Sequence, residues 1–112
     1  MVLLLSSEKL AEFLRGGKDW ARMRTSVPGV FVLKLPAYRG SPSRLAIELN
    51  PVGEDGSPKK RRGLVLRSQA ELDEYRELFQ YEKLAKLMEM LEAVNPKAEE
   101  AKRRRGEEVI EL

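Results

Sequence analysis

The stretch Leu45–Leu66, LAIELNPVGEDGSPKKRRGLVL, consists of two alternating apolar segments separated by a loop. The loop ends in four consecutive cations, Lys59, Lys60, Arg61 and Arg62. Apolar residues at every second position indicate strands, and the Pro, Gly and Asp residues between them indicate turns. The sequence therefore predicts a strand–loop–strand element that displays a row of positive charges, an arrangement suited to binding a polyanion backbone.

Charge is unevenly distributed along the chain. Residues 15–67 hold 12 Lys and Arg against 4 Asp and Glu, a net charge of +8, whereas residues 68–112 hold 8 against 12, a net charge of −4. The modest net charge of +3 for all 112 residues therefore conceals a strongly basic middle. A charged fraction of 35%, with many Lys, Arg and Glu and no Cys, fits a protein of a heat-loving organism.

The composition argues against most enzyme chemistry. The chain has no Cys, which excludes disulfides and thiolate nucleophiles, and no His, which removes the usual general base and the commonest metal ligand. It also has no P-loop and no GxGxxG motif. We therefore expect no catalytic residue, no cofactor and no metal. The apolar run at 2–5 is too short for a signal peptide or a membrane span, so a cytoplasmic protein is expected.

Hydrophobic spacing predicts an α+β fold with a single domain over residues 1–95 and a charged C-terminal extension over 96–112. A short N-terminal helix is expected to start at a Ser6 or Ser7 cap and to stop at Gly16–Gly17. Four antiparallel strands follow. Their predicted positions are 20–24, 30–35, 44–50 and 63–67.

A long C-terminal helix is predicted over residues 69–94, because no helix breaker occurs there and Ser68 with Glu71 forms a capping box. Such a helix would be about 39 Å long, more than one small sheet covers. Its first half should cover the sheet through Leu72, Tyr75, Leu78 and Phe79. Its second half should dimerise through an apolar stripe made of Leu84, Leu87, Met88, Leu91 and Val94.

Alternation also predicts a cationic outer face on the sheet. Trp20 falls in the same phase as its first two arginines, and Tyr38 and Arg39 lie in the loop after the second strand. Cations that follow phosphates, between aromatic rings on which bases stack, are what binding of single strands requires. The predicted nucleic-acid-binding residues are Trp20, Arg22, Arg24, Lys34, Tyr38, Arg39, Arg44, Lys59, Lys60, Arg61, Arg62 and Arg67. Two alternatives stay open: Trp20 packs against the N-terminal helix, and Tyr38 only fills its loop.

The segment RLAIELNPVGEDGSPKKRRGLVLRSQAELDEYREL, followed by a leucine-rich helix, resembles the ThermoDBP-related single-strand-binding proteins of archaea. It is also similar in plan to the positive-cofactor-four family of single-stranded DNA binders, in which a basic-Gly loop leads to a strand and a dimerising helix. The likeness covers about residues 18–95. The helix before Trp20 and the tail after Asn95 depart from the second plan and favour the first family. Either resemblance implies a homodimeric, non-catalytic protein that binds single-stranded DNA or RNA.

Two other functions compete with this interpretation. In the first, the chain is a structural subunit that docks on other proteins through its leucine-rich helix, and its basic face is only solvated. In the second, the same cations bind structured or double-stranded RNA through phosphates and 2′-hydroxyls. The sequence favours largely sequence-independent binding of single strands, because the basic loop occurs together with sheet-face cations and aromatic residues.

Overall fold

The computed structural model describes residues 2–96, with side chains described from Ser6 onward. Within these residues the chain is α+β, with three helices and a four-stranded antiparallel sheet, which confirms the predicted class. The predicted extension 96–112 lies, apart from Pro96, outside the described residues. The elements are α1 (Val2–Gly16), β1 (Arg22–Arg24), β2 (Val30–Leu35), β3 (Arg44–Leu49), β4 (Leu64–Leu66), α2 (Gln69–Phe79) and α3 (Lys83–Val94). They fall into two compact units divided between Leu72 and Asp73.

The sheet is a simple meander in the order β1-β2-β3-β4. The turn before β2 follows the Val27-Pro28-Gly29 signal: Val30 N–H donates to the Val27 carbonyl at 3.0 Å, and Gly29 has a φ of 91°. Proline at the second position and glycine at the third suit such a turn. The predicted strands are thus confirmed to within two residues at each end, and β2 coincides with its prediction.

Strand pairing defines two faces of this sheet, because directly paired residues project to the same side. The first, here named the cationic face, is made of Arg22, Arg24, Phe31, Leu33, Leu35, Arg44, Ala46, Glu48 and Val65. The second, named the apolar face, is made of Met23, Val30, Val32, Lys34, Leu45, Ile47, Leu49, Leu64 and Leu66. The best-buried apolar cluster, Leu33, Leu35 and Ala46 with Val65 against it, lies on the cationic face.

Lys34 does not join the arginines, so the prediction that it lies on the cationic face is wrong. It pairs with Leu45 on the apolar face and is only 6% exposed. Its ammonium group donates to the Gly17 carbonyl at 2.7 Å, just beyond the C-terminus of α1, where the helix dipole favours a cation. The phase error arose because the apolar residues Phe31, Leu33 and Leu35, not Lys34, share the face of the arginines.

Helix α1 begins at Val2, so Ser6 and Ser7 lie inside it and the predicted cap there is wrong. Its end agrees with the prediction. Gly17 N–H donates to the Phe13 carbonyl at 2.9 Å, and a β-carbon on Gly17 would lie only 2.6 Å from that oxygen. Glycine is therefore required at this position for the chain to leave the helix so tightly.

The single helix predicted over 69–94 is wrong, because the chain breaks it at Gln80–Glu82 into α2 and α3. At the break, Gln80 N–H donates to Glu77 at 3.1 Å and Tyr81 N–H to Leu78 at 3.2 Å, three residues back. Such tightened bonds are typical of a helix end. Phe79 and Tyr81, on either side of Gln80, are aromatic and have lower helix propensity than their neighbours. Because the segment contains no Pro or Gly, this weak preference is not recognised in the sequence as a helix break.

The start of α2 agrees with the predicted cap, since Glu71 N–H donates to the Ser68 hydroxyl at 3.1 Å. Leu72 and Tyr75 are half-buried. Leu78 and Phe79 are more than half exposed, and the covering of the sheet by this helix stays a prediction. In the part of the chain that is described, no helix has both the length and the apolar character that crossing a membrane requires.

Candidate nucleic-acid interface

A buried carboxylate lies at the centre of the cationic face. Glu48 is 0% exposed, and the Arg22 guanidinium grips it with two bonds, Nε to Oε1 at 2.5 Å and Nη2 to Oε2 at 3.1 Å. Gly63 N–H donates to Oε2 at 2.7 Å, and the Asn50 amide donates at 3.4 Å. Over residues 2–96 no buried side-chain nitrogen or oxygen lacks a partner. The network is thus fully satisfied, the condition under which buried polar groups specify one arrangement.

The environment of Glu48 keeps it ionised. Burial alone would raise the pKa of this carboxyl. The Arg22 hydrogen bond, the Gly63 N–H, the Arg22 charge and the Asn50 amide oppose burial, and together they lower the pKa below its ordinary value of 4.5. An ionised carboxylate on the cationic face therefore neutralises Arg22 and leaves that arginine little capacity to bind a phosphate.

The basic loop, defined as Lys59–Arg62, is held by its main chain. The Asn50 amide donates to the Lys60 carbonyl at 2.7 Å and accepts from Lys60 N–H at 3.1 Å, while Arg22 donates to the Arg61 carbonyl. Lys59 N–H donates to Pro51 at 2.8 Å, which closes the preceding turn. Because these bonds use backbone atoms, all four cationic side chains remain exposed and available.

Gly63 allows the basic loop to return to the sheet. A β-carbon at this position would lie 2.2 Å from the Leu49 carbonyl oxygen and 2.8 Å from the Asn50 β-carbon, both closer than real contacts allow. Only glycine permits this approach of one backbone to another. The basic-Gly order of the sequence thus has a steric cause, since the glycine lets its N–H reach Glu48.

Trp20 lies in a strained position beside the basic loop. Its φ is 67°, a region that bulky side chains seldom occupy and that costs on the order of 1–3 kcal/mol. Its N–H donates to the Lys34 carbonyl at 2.7 Å, and the indole is 44% exposed. The Arg62 guanidinium lies over the ring, 4.0 Å from its centroid, a cation–π contact. These observations decide against Trp20 as a core residue.

Tyr38 is presented by a tight turn, where the sequence predicts only a loop. Tyr38 and Ser41 exchange two backbone hydrogen bonds at 3.0 and 2.9 Å, and Arg39 and Gly40 between them have φ values of 45° and 80°. Two central residues with positive φ are the mark of a type I′ turn. Tyr38 is 68% exposed, and the Arg39 guanidinium lies 5.2 Å from its ring centroid. Tyr38 does not fill its loop.

An open groove of about 520 Å³ runs between these two aromatic residues, a volume in the range of small-ligand sites. Two arginines of the sheet, Arg44 and Arg67, line it, whereas Arg39 and Arg62 do not. Its walls are Trp20, Leu35, Pro36, Tyr38, Ser41, Pro42, Arg44 and Arg67. The groove therefore combines aromatic surfaces with two cations and contains no carboxylate, which suits binding of an anionic ligand that carries a flat ring.

The structure brings part of the predicted set together and separates the rest. Trp20, Tyr38, Arg44 and Arg67 line the groove, Arg39 and Arg62 stack on its two rings, and Lys59, Lys60 and Arg61 continue from Arg62 as exposed cations. Three predicted residues lie elsewhere. Arg22 is bound to Glu48, Lys34 is buried, and Arg24 lies beside the loop residues Asp55 and Gly56, away from the groove.

Two residues that hold the site, Glu48 and Asn50, were absent from the predicted set. Alternation alone does not distinguish Glu48 from the outward-facing residues of its strand, and Asn50 directly precedes Pro51 at the predicted loop. A signal was present, however. Glu48 is the only carboxylate within the predicted strands of a segment with net charge +8, and such an isolated acid suggests an internal ion pair.

Comparisons of the chain with protein-family models, with curated proteins and with solved structures find no match. The resemblance to the ThermoDBP-related proteins, and with it an archaeal and thermophilic origin, stays a prediction. The candidate interface rests on its own geometry. Among residues 2–96, no group of three or more acidic side chains is placed to hold a metal ion.

Proposed function

We propose that this protein binds single-stranded DNA or RNA, without catalysis and largely without sequence preference, through the groove and the basic loop. One observation carries the proposal: a half-exposed, backbone-strained Trp20 with the Arg62 guanidinium on its ring borders a groove lined by Arg44 and Arg67. Strain of this kind, held at an exposed aromatic residue, is characteristic of binding sites.

Electrostatics supports a polyanion as the ligand. The groove and the basic loop belong to the segment of net charge +8, and the exposed cations Lys59, Lys60, Arg61 and Arg62 lead toward the groove through the Arg62–Trp20 stack. Neutralising phosphates with such side chains releases counterions, so affinity should fall steeply as salt rises. A loop that carried only solvated charge would gain nothing from having its main chain fixed by the buried Glu48–Arg22–Asn50 network.

The composition of the groove supports binding without sequence readout. Its walls offer aromatic and aliphatic surface, two guanidinium groups and the Ser41 hydroxyl. Neither Asn, Gln, Asp nor Glu lines it, although these side chains provide much of the paired donor and acceptor recognition of bases. An aromatic side chain can stack on every base, because each base has a π-face. The protein should therefore select a strand whose bases are unpaired, whatever its sequence.

We also propose that the protein works as a homodimer formed through α3. Leu84, Leu87 and Leu91 are between 43% and 50% exposed, and Met88 and Val94 are more so. An apolar groove of about 680 Å³ is bordered by Leu84, Leu87, Met88 and Leu91, together with Phe79 and Tyr81. An exposed stripe of this kind in a helix suits a matching helix of a second copy. All five residues of the stripe lie within the 12 residues of α3, so the break shortens the helix and leaves the stripe whole.

The experiment that tests the proposed function is a titration of the protein into fluorescent oligonucleotides, namely single-stranded DNA, single-stranded RNA and duplex DNA and RNA, at low and at high salt. We expect saturable binding of the single strands that weakens with salt, and much weaker binding of the duplexes. Preference for duplex RNA would instead support the structured-RNA alternative. Absence of binding to every oligonucleotide would contradict the proposal and leave the interaction-subunit function.

A further inference from the structure

We propose that the groove is a subsite for one unpaired nucleobase, held between Trp20 and Tyr38, with its flanking phosphates on Arg44 and Arg67. This inference rests on the proposed function and makes it more specific: the protein recognises the flat base itself, beyond the charge of the strand. The ligand class is any nucleotide whose base is free to leave its neighbours.

The first argument comes from the two faces of each aromatic ring. Arg62 lies over one face of Trp20 at 4.0 Å, and Arg39 over one face of Tyr38 at 5.2 Å. Neither arginine lines the groove, whereas both rings do. Each ring thus contacts a cation that does not line the groove, and the rest of its surface is what it can offer to a ligand inside the groove. Two such surfaces across one groove match the two faces of a single base.

The second argument is preorganisation. Trp20 and Arg39 both have positive φ angles, which hold the two ring-bearing segments in conformations that L-residues otherwise avoid. The type I′ turn fixes Tyr38 by two backbone bonds, and a backbone bond to Lys34 fixes Trp20. Because the backbone that carries both rings is placed before the ligand arrives, less ordering cost remains at binding. An aromatic pair held this way suits a rigid planar ligand.

The third argument is the position of the cations. Arg44 and Arg67 line the groove, and the basic loop contacts Trp20 through Arg62. Phosphates lie on either side of each base along a strand, so a base between the two rings would have cations of the groove and of the basic loop available for its phosphates. In a duplex each base is stacked and paired, and it cannot enter without leaving the helix. The groove therefore distinguishes single strands from duplex by steric and stacking terms, not by charge.

The test separates base from phosphate. We would compare oligothymidylate of about 12 nucleotides, a typical site size, with an oligomer of equal length and charge in which every base is replaced by an abasic sugar. For the unaltered protein we expect the abasic strand to bind roughly tenfold to a hundredfold more weakly at the same salt. Trp20→Ala and Tyr38→Ala should bind both strands with nearly equal affinity. Val27→Ala, which truncates an exposed apolar side chain of the same unit outside the groove, is the control and should preserve the difference.

The arginines should show the opposite signature. Arg44→Gln and Arg67→Gln should weaken binding of both strands by the same factor and leave their ratio unchanged, because they act on phosphates. Equal affinity of the unaltered protein for the normal and abasic strands would overturn the subsite while leaving the proposed function intact. Binding of neither strand would overturn the proposed function itself. The comparison of strands on the unaltered protein needs no variant, and melting temperatures of the variants report whether each is folded.

Discussion

The basic loop and helix α3 both expose side chains whose exposure does little to stabilise an isolated domain. The two regions differ in the contacts that surround these side chains. The loop displays Lys59–Arg62 on a main chain fixed by Asn50, Arg22 and Glu48. Helix α3 displays leucines that are about half exposed in the described part of the chain. Exposed groups on a rigid, internally satisfied frame indicate a surface prepared for a ligand, whereas exposed leucines indicate a surface that needs a partner.

Two arginines of the cationic region show the same contrast at atomic scale. Arg22 gives its hydrogen bonds to Glu48 and to the Arg61 carbonyl, and its charge is neutralised inside the fold. Arg62 makes a stack with Trp20 and keeps its donors available. Residue type alone therefore does not decide which cation is available to an anionic ligand. The buried Glu48 carboxylate makes the difference here, because it binds and neutralises Arg22.

The largest expected effect concerns the exposed leucines of helix α3. Leu87→Glu combined with Leu91→Glu should convert the proposed dimer to a monomer, because burying unpaired charge in an apolar seam costs several kcal/mol. Sedimentation at micromolar concentration measures the change. The control is Glu89→Gln with Glu92→Gln, on the same helix. A parent chain that already sediments as a stable monomer would contradict the dimer.

The next largest effect concerns the frame of the loop. Glu48→Gln should lower the free energy of unfolding by about 3 kcal/mol, at the lower end of the range for a broken buried pair because the Arg22 side chain is 30% exposed. Urea denaturation measures the loss. Glu54→Gln, in the exposed turn of the same loop, is the control and should change stability by no more than about 0.5 kcal/mol. A similarly small change for Glu48→Gln would show that the network does not stabilise the fold.

A pH series sharpens the same point. Since the folded pKa of Glu48 lies below its ordinary value of 4.5, the ionised carboxylate stabilises the fold at neutral pH. That contribution should be lost as pH falls from the ordinary value through the folded pKa. The urea midpoint of the parent should therefore drop more steeply in this acid range than that of Glu48→Gln. Parallel curves for the two proteins would mean that Glu48 does not contribute to acid unfolding.

The smallest of these effects separates phosphate contact from solvated charge. Replacing Lys59, Lys60, Arg61 and Arg62 with Gln should flatten the log–log salt dependence of single-strand affinity by up to about 0.7 per lost contact. The control replaces Arg76, Lys83 and Lys86, which are exposed cations of the acidic half. An unchanged slope in the loop variant, or an equal change in the control, would remove the loop from the interface.

The sequence predicts the sheet well and the site in part. Period-two alternation locates all four strands because this pattern is local, and four of the predicted binding residues, Trp20, Tyr38, Arg44 and Arg67, line one groove. The sequence prediction fails where the face or burial of a residue depends on contacts between strands and loops that are distant in the sequence. Lys34 is assigned to the wrong face, and alternation gives no sign that Glu48 is buried, since burial on the cationic face depends on a loop that returns over it. The Tyr38–Ser41 turn escapes notice because Arg takes a position where Asn is usual.

The helix break at Gln80–Glu82 teaches a similar lesson about weak preferences. Every residue from 69 to 94 tolerates a helix, so the sequence offers no breaker to detect. The chain nevertheless stops α2 at Phe79 and restarts at Lys83, using bonds to carbonyls three residues back. A sum of acceptable propensities thus does not establish one continuous helix, and the predicted length of about 39 Å was too great.

The most direct test uses Trp20, the single tryptophan of the chain, as its own reporter. We would titrate the protein with oligothymidylate and with duplex of equal charge while recording tryptophan fluorescence at low and high salt. Stacking of a base on the exposed indole should quench its emission with single strand, saturably and less readily at high salt, and leave it nearly unchanged with duplex. Emission that stays constant while a labelled single strand binds would contradict the groove as the site. Equal quenching by duplex would contradict recognition of unpaired bases.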